Sequence, residues 1–148
     1  MAAITIIGAG VMGTALSWPL ADNNHTVRLA GTPLDNDIIR SIRETRIHPR
    51  HQREIPTPVE AYFVDELPQA LQGTDLVVSG VSSFGVHWFA SQAALYFTPG
   101  TPVISVTKGL FDQPDGTLLT VPQATDAWLP DNLQGRIPLN AIGGPCIA

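Results

Sequence analysis

The stretch ITIIGAGVMGTAL, residues 4 to 16, decides the reading of the whole chain. With Ala3 it opens on AITII, a continuous apolar run rich in β-branched residues, as a strand buried on both faces requires. Gly8, Gly10 and Gly13 then form G-x-G-x-x-G at the point where the apolar pattern turns helical. A lone match to that motif is weak. Between a buried strand and a helix, inside the first strand-helix-strand unit, it reads as a dinucleotide loop. Gly8 permits the tight turn, Gly10 lets a pyrophosphate approach the backbone, and Gly13 lets helix pack on strand. The anion would rest on the free N–H groups of the helix N-terminus.

Outward from this loop, short β-like runs alternate with helical ones. MGTALSWPLADNN reads as a helix that Pro19 should bend. HTVRLAG (25–31) is a second strand, and residues 34–46 carry Leu34, Ile38, Ile39 and Ile42 at helical spacing. HPRHQREIPTPVEAY (48–62) is basic and proline-rich and reads as a surface loop. Residues 61–64 suggest a short strand and 66–71 a short helix. DLVVSGV (75–81) is a strong strand, 86–96 a helix, and PVISVT (102–107) another buried strand. Residues 116–128 are weakly helical, with Pro122 as an interruption, and LNAIGG (139–144) is a last strand. This alternation predicts an α/β fold of Rossmann-like, doubly wound type, with a mostly parallel sheet and helices on both faces over residues 1–148. Ligands of such sheets bind beyond the carboxyl ends of the strands.

Composition narrows the function. The net charge of −5 argues against nucleic acid and against anionic membrane surfaces. No apolar run reaches the ~18 residues that span a bilayer. Cys146 is the sole cysteine, so an internal disulfide is impossible and a reducing cytoplasm is the expected setting. Charged residues make up only 14% of the chain, which suggests surface buried against a second domain or a partner. His25, His48, His51 and His87 have no metal-ligand spacing with cysteine or paired carboxylates, and no metal is expected.

An acid at the end of the second strand would hold the ribose of NAD. That end reads RLAGTPLD: Gly31 and Thr32 occupy the expected region and Asp35 comes late. The missing acid leaves room for the 2′-phosphate of NADP, and Thr32 can donate to ribose or phosphate. Arg40, Arg43, Arg46, Arg50 and Arg53 follow, as candidates for that phosphate or as a solvated helix face and loop. The cofactor is therefore NAD or NADP, with a lean to NADP. VSSFG (81–85) follows a strand and suggests a loop over the cofactor, with Phe84 against the dinucleotide.

Lys108, in SVTKGLF (105–111), is the only lysine; the other seven basic residues are arginines. It falls at a predicted carboxyl strand end. T-K-G there, G-G-P-x-x-A at 143–148 and the glycine loop, in this order and approximate spacing, resemble the NAD(P)-dependent glycerol-3-phosphate dehydrogenases over essentially the whole chain. The resemblance implies reversible hydride transfer between a nicotinamide and C2 of dihydroxyacetone phosphate, giving sn-glycerol 3-phosphate. It implies that Val11, Met12 and Thr32 touch the cofactor, with Ala148 near its nicotinamide end. Lys108 would contact cofactor and substrate, and Gly144 and Cys146 the substrate. A lysine ammonium can stabilise the negative charge that grows on a carbonyl oxygen accepting hydride. The family's second, helical domain carries a further lysine as general acid/base and an arginine for the substrate phosphate. Neither occurs before Ala148, so we expect a cofactor domain cut short, inactive alone, whose missing domain would carry any homodimer contact. Cys146 stands where the family more often has serine or threonine, and a small buried residue is its plainer role. The competing reading is a stand-alone dinucleotide-binding module without catalysis.

Overall fold

The computed structural model describes residues 1–143 of the chain. Ten strands and six α-helices follow one another among them: β1 (Ala3–Ile7), α1 (Val11–Ala15), α2 (Ser17–Asp22), β2 (Thr26–Ala30), α3 (Asn36–Thr45), β3 (Ile47–His48), β4 (Arg53–Glu54), β5 (Glu60–Tyr62), α4 (Leu67–Leu71), β6 (Leu76–Ser79), α5 (Val86–Ser91), β7 (Val103–Ser105), β8 (Leu110–Asp112), β9 (Leu118–Thr120), α6 (Val121–Trp128) and β10 (Leu139–Ala141). Six of the strands form one sheet in the order β10-β7-β6-β1-β2-β5. Every pairing in it is parallel. β1 lies between β2 and β6, so the strand order reverses beside it, and a crevice opens where connections leave in opposite directions.

Alternation along the strands sends side chains to two cores. On one face Ile7, Ala30, Val77 and Val103 pack with Leu67, Val86, Phe89 and Val121 of α4, α5 and α6. On the other, Ile4, Ile6, Val27, Leu29 and Val78 meet Trp18 and the Ile38, Ile39, Ile42 stripe of α3. β1 is covered on both sides, which is why its sequence is a continuous apolar run rather than an alternating one.

Five local expectations are corrected. The helix after the glycine loop is two helices, because Pro19 has no N–H for the carbonyl of Ala15 and the ladder breaks at Leu16. Residues 48–62 are not a plain surface loop. β3 and β4 form an antiparallel hairpin from Ile47 to Glu54, and His48, Ile55 and Val59 are buried. The edge strand is β5, at 60–62 rather than 61–64. Pro122 does not interrupt a helix: it sits in the first turn of α6, where its missing N–H costs nothing, and Thr120 caps that turn through Gln123. The residues before α6 form the hairpin β8–β9, of which β9 falls within the 116–128 stretch expected to be weakly helical, whereas the sequence reading assigned β8 no element.

Candidate functional site

The glycine loop is built from backbone contacts. Gly8 has φ +111°, a conformation that side chains resist, and a Cβ there would meet the Gly80 backbone at 2.8 Å. A Cβ on Gly13 would lie 2.2 Å from the Gly8 carbonyl oxygen. Loop, first helix and the end of β6 therefore touch backbone to backbone. Gly10 differs: a Cβ there would have nothing within 4 Å and would project into open space. That empty cradle is what a bound pyrophosphate needs, beside the first amides of α1, which have no intrahelical partner.

The space belongs to a cleft of about 450 Å³, within the range of small-molecule sites. Gly8 and Gly10 line it with Thr32 and Asp35 after β2, Arg50 of the hairpin turn, and Gly80, Phe84 and Trp88 after β6. Phe84 is 96% exposed at the cleft rather than part of the core. Val11 and Met12 are exposed on the first turn of α1.

Asp35 corrects the reading that the acid after β2 is missing. Its carboxylate does not cap α3. It turns back and accepts from the Thr32 N–H at 2.9 Å, the Thr32 hydroxyl at 2.8 Å and the Ala9 N–H at 3.2 Å. A chain that reverses through Thr32–Leu34 brings a late acid to the strand end, which linear spacing hides.

The structure also sorts the five arginines. Arg40 pairs with Asp37 at 2.7 Å. Arg43 pairs with Glu66 and stacks on Phe63. Arg46 donates to the carbonyls of Ile55 and Pro56. Arg53 lies over the Trp18 ring, 4.6 Å from its centroid. Arg50 is exposed and lines the cleft.

Two histidines unassigned by the sequence reach the loop. His48 is fully buried, and its Nε2–H donates to the Ala9 carbonyl at 2.9 Å. Its Nδ1 accepts the N–H groups of Arg50 and His51, each at 3.2 Å, which fixes the neutral tautomer. Burial is the main cause that lowers its pKa; the Ala9 bond opposes, and His51 and Arg50 reinforce it. His51 Nε2–H donates to the Val11 carbonyl at 2.9 Å. The only sequence signal was two histidines in one basic loop.

Lys108 lies apart from this cleft. It is exposed after β7 and borders a smaller hollow of about 240 Å³ with Thr107, Gly109, Thr120, Ile142 and Gly143. Its base is rigid: the Thr107 hydroxyl donates to the Val81 carbonyl at 2.6 Å, and Gly109 turns the chain at φ +124°. Gly144, Cys146 and Ala148 lie outside the described residues. No group of three or more metal-ligating side chains occurs among the described residues, nor any helix long and apolar enough to cross a membrane.

Residues 3–148 match the family model described as the N-terminus of NAD-dependent glycerol-3-phosphate dehydrogenase. The chain belongs to this family. It is 39% identical to the NADP(+)-dependent glycerol-3-phosphate dehydrogenase of Archaeoglobus fulgidus over 146 residues, 98% of this chain and 42% of that protein. It is 29% identical to the glycerol-3-phosphate dehydrogenase [NAD(P)+] of Myxococcus xanthus, over 97% of this chain and 41% of that one. Its fold superimposes on glycerol-3-phosphate dehydrogenase of Coxiella burnetii with a TM-score of 0.75 and 25% identity, over 96% of this chain and 40% of the other. The chain thus spans about two-fifths of these relatives, the part that binds NAD or NADP.

Proposed function

We propose that this chain is the cofactor-binding part of an oxidoreductase that transfers hydride between NAD(P)H and dihydroxyacetone phosphate, giving sn-glycerol 3-phosphate. The observation that carries the reading is Lys108: the sole lysine stands just past the carboxyl end of β7, beside a hollow of its own, on the same side of the parallel sheet as the glycine loop that follows β1. Glycine-loop amides would hold the pyrophosphate, Thr32 the adenosine ribose, and Phe84 would cover the dinucleotide. When bound, the nicotinamide supplies the hydride to the carbonyl carbon. Lys108 would bind the carbonyl oxygen and stabilise the charge developing there, an effect that grows as water is excluded. Gly144 and Cys146 are proposed substrate contacts, and Ala148 a contact near the nicotinamide. The proton for the new hydroxyl would come from an acid beyond this chain, as the family resemblance implies.

NADP is the proposed cofactor of choice, with Arg50 as the cation for its 2′-phosphate. The Archaeoglobus relative, named for NADP(+), supports this preference. A planar, permanently charged guanidinium suits a phosphate.

The test is oxidation of NADPH with dihydroxyacetone phosphate by the intact polypeptide that carries this chain, set against a panel of hydroxyacid precursors. Lys108→Ala should remove most turnover and leave NADPH binding nearly intact. Unchanged turnover would refute the role of Lys108. The exposure of that lysine favours a second reading, a dinucleotide-binding module without catalysis. NADPH binding with no turnover on any substrate would support it.

A further inference from the structure

We propose that His48 is a positioning residue for the dinucleotide, tying the glycine-rich loop to the turn that carries Arg50. This rests on the family's assignment of the cleft to NAD or NADP. One ring touches both partners. Its Nε2–H holds the carbonyl of Ala9, the residue between two glycines that line the cleft. Its Nδ1 holds the N–H of Arg50, which lines the same cleft.

The contact on Ala9 has a particular consequence. Asp35 holds the N–H of Ala9 at 3.2 Å, and His48 holds its carbonyl at 2.9 Å. A second carbonyl, that of Val11, is held by His51 at 2.9 Å. A glycine-flanked peptide rotates easily, and a carbonyl oxygen turned toward a phosphate repels it. Donors fixed on these carbonyls prevent that rotation and leave the next amides facing the cleft. The loop is thereby preorganised for an anion before one arrives.

The hairpin turn that performs this is itself braced. His48 and His51 meet edge to face at 4.7 Å, and His51 meets Trp18 of α2 at 5.1 Å. Trp18 Nε1–H donates to the Glu54 carbonyl at 2.9 Å, and Arg53 covers its ring. A rigid turn packed on the helix behind the loop can hold a carbonyl in place, whereas a mobile one cannot.

Two substitutions separate the ring's two contacts. His48→Gln keeps a donor near the Nε2 position for Ala9 and loses the Nδ1 acceptor. His48→Asn keeps an acceptor near the Nδ1 position and loses the donor. Dissociation constants for NADH and NADPH would be measured by fluorescence titration on the full chain, with melting temperatures alongside. His48→Asn should weaken both dinucleotides about tenfold or more, and His48→Gln should recover binding to within about threefold of the unsubstituted chain. The proposal is overturned if His48→Asn binds like the unsubstituted chain, or if both variants lose affinity in proportion to their melting temperatures. Failure of the unsubstituted chain to bind either dinucleotide would instead refute its assignment to the cofactor, and the role of His48 with it. Should both variants fail to fold, ¹⁵N spectra of the unsubstituted chain decide. A His48 Nε2–H signal that shifts on adding NADH is expected; an Nδ1–H tautomer, or a signal indifferent to NADH, overturns the proposal.

Discussion

Gly13→Ala should damage the fold and the cofactor site together, and Gly10→Ala should damage only the site. At Gly13 the new methyl would lie 2.2 Å from the Gly8 carbonyl oxygen and 3.3 Å from the Gly80 Cα, where ordinary contact begins at 3.4 Å. Both obstacles are backbone, so no side chain can rotate away. The start of α1 must retreat from β1 by roughly 1 Å, and overpacking of this kind costs about 1–3 kcal/mol. With backbone on two sides the upper figure applies, and about 3 kcal/mol lowers the Tm of a chain this size by roughly 6–12 °C. The same retreat carries the loop amides away from the pyrophosphate, so affinity for NADPH should fall at least about tenfold. At Gly10 the methyl meets nothing within 4 Å, and φ of −69° suits any residue. The stability cost there is about 1 kcal/mol or less, the loss of a favoured N-cap glycine, while the methyl occupies the ligand's space. Differential scanning fluorimetry and NADPH titration of both variants check the contrast. A Gly13→Ala chain with unchanged Tm and affinity would refute the backbone-contact account of the loop.

Arg50→Ala should raise the dissociation constant for NADPH about tenfold and that for NADH less than threefold, since only the former carries a 2′-phosphate; equal losses would remove Arg50 from that role. Asp35→Ala strips the acceptor from three donors and should destabilise the chain by about 1–3 kcal/mol, read as a lower urea midpoint. Stability should also depend on pH through His48, whose folded pKa lies below the ordinary value of 6.5. The unfolded chain then binds the proton first, so the contribution is complete above pH 6.5 and is lost as pH falls from there through the folded value. Urea midpoints at about pH 7.5 and about pH 5.5 should differ more in the unsubstituted chain than in His48→Gln.

The parallel sheet was legible because its physics is local. A strand buried on both faces must be a short apolar run, and β1, β6 and β7 are such runs. The two hairpins were not legible. β3 and β4 have two residues each, and β8 and β9 three each. Periodicity needs more residues than that to declare itself. In the first hairpin, burial of His48 inverts the usual meaning of a polar letter. In the second, Thr120 both ends a strand and caps a helix, so the pattern on either side merged.

The site divides along the same line. Gly8, Gly10 and Gly13 were legible because their roles are set by backbone conformation within one turn. Thr32 and Phe84, singled out by their place after strands β2 and β6, both line the cleft. Asp35 was misjudged because an acid's distance along the chain is not its distance in space. Three donors, two from Thr32 and one from Ala9, draw its carboxylate back to the strand end. That recovery bears on cofactor choice. The cleft presents a carboxylate, which suits a ribose diol, and a guanidinium, which suits a 2′-phosphate. All three of the protein's donors converge on one carboxylate oxygen, Oδ2, so a ribose hydroxyl would bond to the other, Oδ1. Among the described residues Arg50 has no such duty in its side chain: its backbone N–H anchors the turn to His48, and its side chain is exposed at the cleft. A ribose diol on Asp35 Oδ1 and a 2′-phosphate on Arg50 both fit this end of the cleft, and the ratio of NADPH to NADH affinity in Arg50→Ala is the measurement that separates them.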